Sequence, residues 1–207
     1  MKAWQAIRVL SPEGCFPFSK KRNGTVLGEG AGVLVMEELE HARARGAKIL
    51  AEVKGFGMTS DAKDMINPDL EGPKQAMRLA LEDANLAPSD IDYLNAHGTA
   101  TALNDVNETR AIKGVFGNTA SKLAISSTKS MHGHPLGASG GVEAVACVKA
   151  IEDGFVPATI GLSEPDSQCD LDYVPNVGRN MKVGHAMSNS FAFGGLNAVL
   201  VFGPAPA

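Results

Sequence analysis

Two imidazoles and one ammonium stand out by where they lie in the sequence. His97 falls in Asn95-Ala-His-Gly-Thr-Ala-Thr101, and Lys129 and His134 fall in Ser127-Thr-Lys-Ser-Met-His-Gly-His134. Each stretch follows a short apolar run, at the point where a buried strand would hand over to a loop. In open α/β sheets ligands bind outside the carboxyl ends of the strands, so polar groups from two such ends can converge on one substrate. Histidine and lysine in that place suit proton transfer and the stabilisation of developing negative charge.

Taken singly, these signals have plainer explanations. A histidine after a strand is more often a hydrogen-bonded structural residue, and a lysine is normally a solvated charge. His132 and His134 form an H-x-H pair, but a structural zinc site needs about four ligands, and no Cys or His cluster supplies them. Gly28, Gly30 and Gly32 invite a nucleotide-loop reading. The spacing is G-x-G-x-G, however, and the next element reads as a strand, where the dinucleotide fingerprint needs a helix.

Composition narrows the classes. The 207 residues are 44% hydrophobic and 20% charged with a net charge of −4, an ordinary soluble balance without the basic excess of a nucleic-acid binder. Three cysteines, Cys15, Cys147 and Cys169, lack C-x-x-C spacing and point to a reducing compartment rather than a disulfide framework. No apolar leader follows Met1 and no run approaches about 18 apolar residues, so cytoplasm is the expected location.

The elements that must position these groups alternate along the chain. The patterning predicts a short helical patch within residues 1–10, a buried strand at Val33–Met36 and a charged helix from Glu37 to Arg45. A strand follows from Ile49 to Phe56, running on to Met58. The polar loop from Thr59 to Glu71 is long enough to carry function. From Pro73 to Leu86 a helix carries the small-residue stripe Ala76, Ala80 and Ala84, which lets it lie close to a sheet. Strands are predicted at Ile91–Ala96, Leu123–Ser127, Leu171–Val174, His185–Ser190 and Asn197–Val201. Helices are predicted at Asp105–Phe116 and Gly137–Ile151. Alternation predicts parallel pairing through crossover helices, with the final pair antiparallel across the glycine turn. The result is one α/β unit.

Three motifs in order carry a resemblance. NAHGTAT, STKSMHGHPLGASG and Asn189-Ser-Phe-Ala-Phe-Gly-Gly195 look like the His, Lys/His and glycine-loop motifs of the β-ketoacyl-acyl-carrier-protein synthases, condensing enzymes of the thiolase superfamily. The segment Pro17 to Gly32 also matches, so the resemblance runs from about residue 1 to residue 203. It implies the second half of a thiolase-like fold, a mixed five-stranded sheet with helices on its faces, plus the last strand and helix of the first half. Residues 1–47 would end the amino-terminal half, and residues 48–207 would form the carboxyl-terminal half.

The resemblance also implies roles. His97 and His134 would flank a malonyl thioester carbonyl and stabilise its enolate, while Lys129 sets the local field and holds His97 in place. Phe193 would give its backbone N–H to an acyl oxyanion hole, in a loop with Gly194 and Gly195 that acts as a gate. Ala192 and Leu196 stand where the family usually has Gly and Thr, and the methyl group at 192 restricts the backbone. Thr99 and Thr101 match hydroxyls that bind the pantetheine arm. Asn95, Ala96, Glu143, Ser188 and Asn189 match places where some relatives hold a structural sodium or potassium ion. A buried Glu143 needs a partner in any case, so either a cation or a hydrogen-bond network would satisfy it. No other cofactor is implied.

The implied partners are an acyl carrier protein bearing acyl and malonyl thioesters, and a second copy of the full-length chain in a homodimer. None of the three cysteines has the small-residue surroundings of the family's nucleophile. Each reads as a core or surface thiol, and the isolated chain is expected to be inactive, its reactive cysteine lying upstream. A non-catalytic partner subunit, comparable to chain-length factors, is the alternative.

Overall fold

The computed structural model describes residues 2–206. In chain order the elements are α1 (Lys2–Ala6), α2 (Leu39–Ala44), β1 (Ala51–Ser60), α3 (Glu71–Asp83), β2 (Tyr93–Asn95), α4 (Asn104–Phe116), β3 (Ala124–Ser126), α5 (Lys129–His132), α6 (Ser139–Asp153), β4 (Phe155–Val156), β5 (Arg179–Asn180), β6 (Ala186–Ala192) and β7 (Leu196–Pro204). Five strands form one mixed sheet in the order β1-β7-β6-β2-β3. β2 runs parallel to both β3 and β6, whereas β6 with β7 and β7 with β1 are antiparallel. This is the mixed five-stranded α/β sheet expected from the sequence.

Period-two alternation sends successive strand residues to opposite faces. Leu94, Ile125, Met187, Val199 and Val201 join Ala76, Met77, Ala80 and Leu81 of α3 and Ile112 and Phe116 of α4 in one core. Tyr93, Ala124, Ala186 and Phe202 turn the other way, onto Ala144, Cys147 and Val148 of α6. The alanine stripe of α3 does what its spacing predicted. A side chain at Gly55 would collide with Ala80 and Ala84, and one at Gly57 with the backbone of Ala76 and Ala80, so helix and strand touch main chain to main chain.

Two predicted strands do not form. Val33–Met36 is extended but unpaired, with Val33 81%, Val35 85% and Met36 70% exposed. Among the described residues no neighbouring strand lies there to complete a ladder. Only Leu34 packs inward, against the α6 core. The segment is pressed to the fold through its glycines, since a side chain at Gly28 would meet the His132 carbonyl and one at Gly32 the backbone of Gly141. Leu171–Val174 is irregular because its backbone serves other partners: Asp172 O accepts from Ile125 N at 2.9 Å and Val174 O from Thr159 N at 2.9 Å. It borders β3 without forming a regular strand. No helix among the described residues is long and apolar enough to cross a membrane.

Candidate active site

Register decides what meets at the sheet's carboxyl edge. Asn95 pairs with Ser126 on one side and with Ser188 on the other, so β2 and β3 end level while β6 runs on beside them toward the glycine turn. The next residues of each chain segment therefore emerge together. His97 follows β2, Thr128 and Lys129 follow β3, and Asn189 to Phe191 continue β6.

His97 is buried, and its ring meets that of His134 edge to face with centroids 5.6 Å apart. His134 is brought back after α5 by the hydrogen bonds from His134 N to Val26 O (2.7 Å) and from Gly28 N to His134 O (3.1 Å). Its Nδ1 accepts from the Leu136 backbone N–H at 3.2 Å and lies 2.8 Å from Ser139 Oγ. An Nδ1 that accepts from a main-chain N–H leaves the proton of a neutral ring on Nε2.

Lys129 is wholly buried, with Nζ donating to Glu143 Oε1, itself wholly buried on α6. Burial pushes the Glu143 carboxyl upward while the Lys129 charge draws it back toward the ionised form. Burial first, then the positive field of Lys129, holds His97 well below the ordinary imidazole range and brings His134 down to about 3. Both rings are therefore neutral near pH 7. Lys129 makes no hydrogen bond to His97: among the described residues His97 Nδ1 has no hydrogen-bond partner, and the ammonium donates to Glu143.

Another residue anchors the His97 loop. Glu108 on α4 accepts from the backbone N–H of His97 at 2.9 Å and of Gly98 at 2.8 Å, and Asn189 Nδ2 donates to it at 3.0 Å. Sequence reasoning passed over Glu108, Ser139, Phe191 and Asp61. The signal for Glu108 was there: with Asp105 it occupies the buried face of α4 beside Val106, Thr109, Ala111 and Ile112. A carboxylate in that stripe requires donors.

The glycine turn is clasped from the side. Gly194 N donates to Met65 O, Asp61 N donates to Gly195 O, and Asn197 Nδ2 donates to Asp61 Oδ2. Gly194 and Gly195 have φ of +85° and +81°, a region that L side chains rarely enter. The phenylalanine that reaches His97 is Phe191, with ring centroids 5.6 Å apart, while the ring of Phe193 lies on Trp4. Thr99 Oγ1 and Thr101 Oγ1 are 3.0 Å apart at the entrance of the His97 loop, Thr99 buried and Thr101 half-buried.

Of the residues proposed to ligate a cation, Glu143 and Asn189 each keep one buried oxygen, Oε2 and Oδ1, without a hydrogen-bond partner. The Asn95 side chain bonds to Thr128 Oγ1 through Nδ2 at 3.3 Å and Oδ1 at 3.4 Å. Buried acceptors left over in an oxygen-only set are what a hard monovalent ion takes up. The three thiols are all buried, and burial pushes each upward, Cys169 to about 11. None is a poised thiolate.

Similarity to known proteins extends over nearly the whole chain. The profile of the β-ketoacyl synthase carboxyl-terminal domain matches residues 50–163, and that of the β-ketoacyl synthase amino-terminal domain matches residues 1–42. Nodulation protein E of Rhizobium leguminosarum bv. trifolii is 57% identical over 98% of this chain and 50% of its own length. The 3-oxoacyl-[acyl-carrier-protein] synthase 2 of Staphylococcus aureus (strain COL) is 53% identical over 91% of this chain and 46% of its own. A ketosynthase solved in complex with a type II polyketide acyl-carrier protein and bound to the hexaketide superposes with a TM-score of 0.96 at 38% identity, covering 99% of this chain and 52% of that one. The chain thus spans about half the length of the curated relatives it matches. With its sheet order, its paired imidazoles and these matches in agreement, the chain belongs to the β-ketoacyl synthase family.

Proposed function

We propose that this chain is the carboxyl-terminal part of a 3-oxoacyl-[acyl-carrier-protein] synthase that joins an acyl thioester to malonyl-acyl-carrier protein by decarboxylative Claisen condensation. The malonyl C–C bond breaks, CO2 leaves, and its electron pair passes into an enolate. The enolate carbon attacks the acyl thioester carbonyl, the thiolate departs, and a β-ketoacyl thioester remains. Each step places negative charge on a thioester oxygen, where a single aimed donor supplies about 3 kcal/mol.

The observation that carries this reading is the neutral His97–His134 pair, with the His134 proton directed to Nε2. Both rings then donate to the enolate oxygen, kept neutral by burial first and by the Lys129 charge second. The Phe193 N–H, in the turn with Gly194 and Gly195, serves the acyl oxyanion, and Thr99 and Thr101 bind the pantetheine arm. Asn95, Ala96, Glu143, Ser188 and Asn189 would hold a structural sodium or potassium ion, a reading supported by the Glu143 and Asn189 oxygens that have no hydrogen-bond partner among the described residues. Residues 1–47 belong with an amino-terminal half that brings the nucleophilic cysteine, and the complete protein pairs as a homodimer.

The test is malonyl-carrier-protein decarboxylation, measured for the chain alone and for the chain joined in frame to the amino-terminal half of the nodulation relative. The chain alone stays at background, the fusion turns over, and His134→Ala or Lys129→Met in the fusion lowers the rate at least about a hundredfold. Condensation by the chain alone would overturn this division of labour. The second reading is a non-catalytic partner subunit, with which the three buried thiols agree equally well. A fusion that binds acyl carrier protein yet leaves malonyl thioester intact selects that reading.

A further inference from the structure

The Nδ1 nitrogen of His134 has two possible donors within reach, and they are unequal. The Leu136 backbone N–H lies 3.2 Å away, at the long end of the hydrogen-bond range, whereas Ser139 Oγ lies at 2.8 Å. Leu136 also keeps its place at a cost, since its φ of +53° falls in the left-handed region that side chains rarely enter. Ser139 is better anchored. It is the first residue of α6 and is buried, and two residues on, Gly141 presses α6 against the backbone of Gly32.

The chemistry of the two donors decides which way the serine–imidazole bond runs. A hydroxyl can give or take a hydrogen bond, but a backbone N–H can only give. With the Leu136 N–H aimed at Nδ1, a proton on that nitrogen would meet another proton. The serine therefore donates, and the proton of the neutral ring stays on Nε2. One helical turn further along the same buried face of α6, Glu143 accepts from Lys129. A single helix thus steadies two of the three groups that the sheet brings together. We propose that Ser139 is the positioning residue that keeps the His134 proton on Nε2, available to a substrate oxygen. The identity of that oxygen rests on the condensing-site reading above. The placement of the proton does not.

Isotope-labelled ring nitrogens report the tautomer in the 207-residue chain through their couplings to the ring protons. The wild-type spectrum should show Nε2 protonated and Nδ1 as a bonded acceptor. Ser139→Ala removes one oxygen atom and keeps a strong helix former, so the fold is retained. In it the Nδ1 signal of His134 moves downfield, and a population protonated at Nδ1 appears. Ser139→Thr, which keeps the hydroxyl, retains the wild-type spectrum, and Ser121→Ala, at an exposed hydroxyl elsewhere, leaves it unchanged. In the fusion with the amino-terminal half, Ser139→Ala lowers malonyl decarboxylation at saturating substrate about fivefold, the net worth of one hydrogen bond, and Ser139→Thr restores it. An Nδ1 signal unmoved in Ser139→Ala would overturn the assignment. A signal that moves while the Ser139→Ala fusion keeps its full rate would equally overturn a positioning role. If the signal moves in the chain and even the unsubstituted fusion leaves malonyl thioester intact, Ser139 still places the proton and the condensing-site reading fails.

Discussion

Glu108 takes the backbone N–H of His97 at 2.9 Å on one carboxylate oxygen, while the other takes that of Gly98 at 2.8 Å. The imidazole is thus aimed through its main chain by a residue on α4. Because Asn189 donates to the same carboxylate at 3.0 Å, one buried side chain joins the His97 loop to the strand that leads into the glycine turn. Burial pushes Glu108 upward, and these three donors pull it back. In Glu108→Gln an amide N–H faces one of the main-chain donors. The expected loss is about 1–3 kcal/mol in urea denaturation, with faster exchange at His97 and Gly98. An unaltered midpoint with unaltered exchange would show that the loop holds itself.

The buried Lys129–Glu143 pair should show the asymmetry of such pairs. Lys129→Met leaves a carboxyl without its counter-charge and is expected to cost about 3–5 kcal/mol, most of which Lys129→Met with Glu143→Leu restores. The single substitution also removes a positive field from both imidazoles, so His97 and His134 titrate at higher pH. Urea melts and histidine resonances followed with pH test both parts, and imidazole titrations that do not move would place the field elsewhere.

Asp105 should govern stability at the alkaline side. Its folded carboxyl is pushed up to about 7 by burial, against the Phe18 N–H donated at 2.8 Å, from an ordinary value of 3.8. A group raised on folding contributes stability that is complete below its unfolded value and lost as pH rises through its folded one. Asp105→Asn, which can still accept from Phe18, should therefore be more stable than wild type at pH 8 by on the order of a few kcal/mol, the gap closing toward pH 4. His97 and His134 act in the opposite sense. Lowered on folding, they contribute stability present above about pH 6.5 and lost as pH falls. Denaturation midpoints across this range that run parallel for the two proteins would remove Asp105 from the account.

A structural cation has its own signature. Sodium or potassium chloride should raise the melting temperature by a few degrees over choline chloride at equal ionic strength, roughly 1 kcal/mol of linkage. The difference should shrink in Asn189→Ala, which removes one of the two unsatisfied oxygens. Identical melts in all three salts would leave a hydrogen-bond network as the reason for the buried Glu143.

What the sequence determined on its own was local period and local chemistry. The short strand-like runs at Ile91–Ala96 and His185–Ser190 and the small-residue stripe at Ala76, Ala80 and Ala84 were enough to predict strands and a helix lying close to a sheet, because these patterns act within a few residues. The motifs around His97, Lys129 and His134 were legible for the same reason. Tertiary structure decided everything that depends on a distant partner. Val33–Met36 has strand composition, yet a strand exists only where a neighbour supplies the ladder. Leu171–Val174 gives its carbonyls to Ile125 and Thr159 instead. Which phenylalanine reaches His97, which carboxylate holds its loop and which carboxylate accepts from the Lys129 ammonium were fixed by strand register and helix placement. Side chains far apart in the chain meet only after the sheet has aligned the ends of its parallel strands.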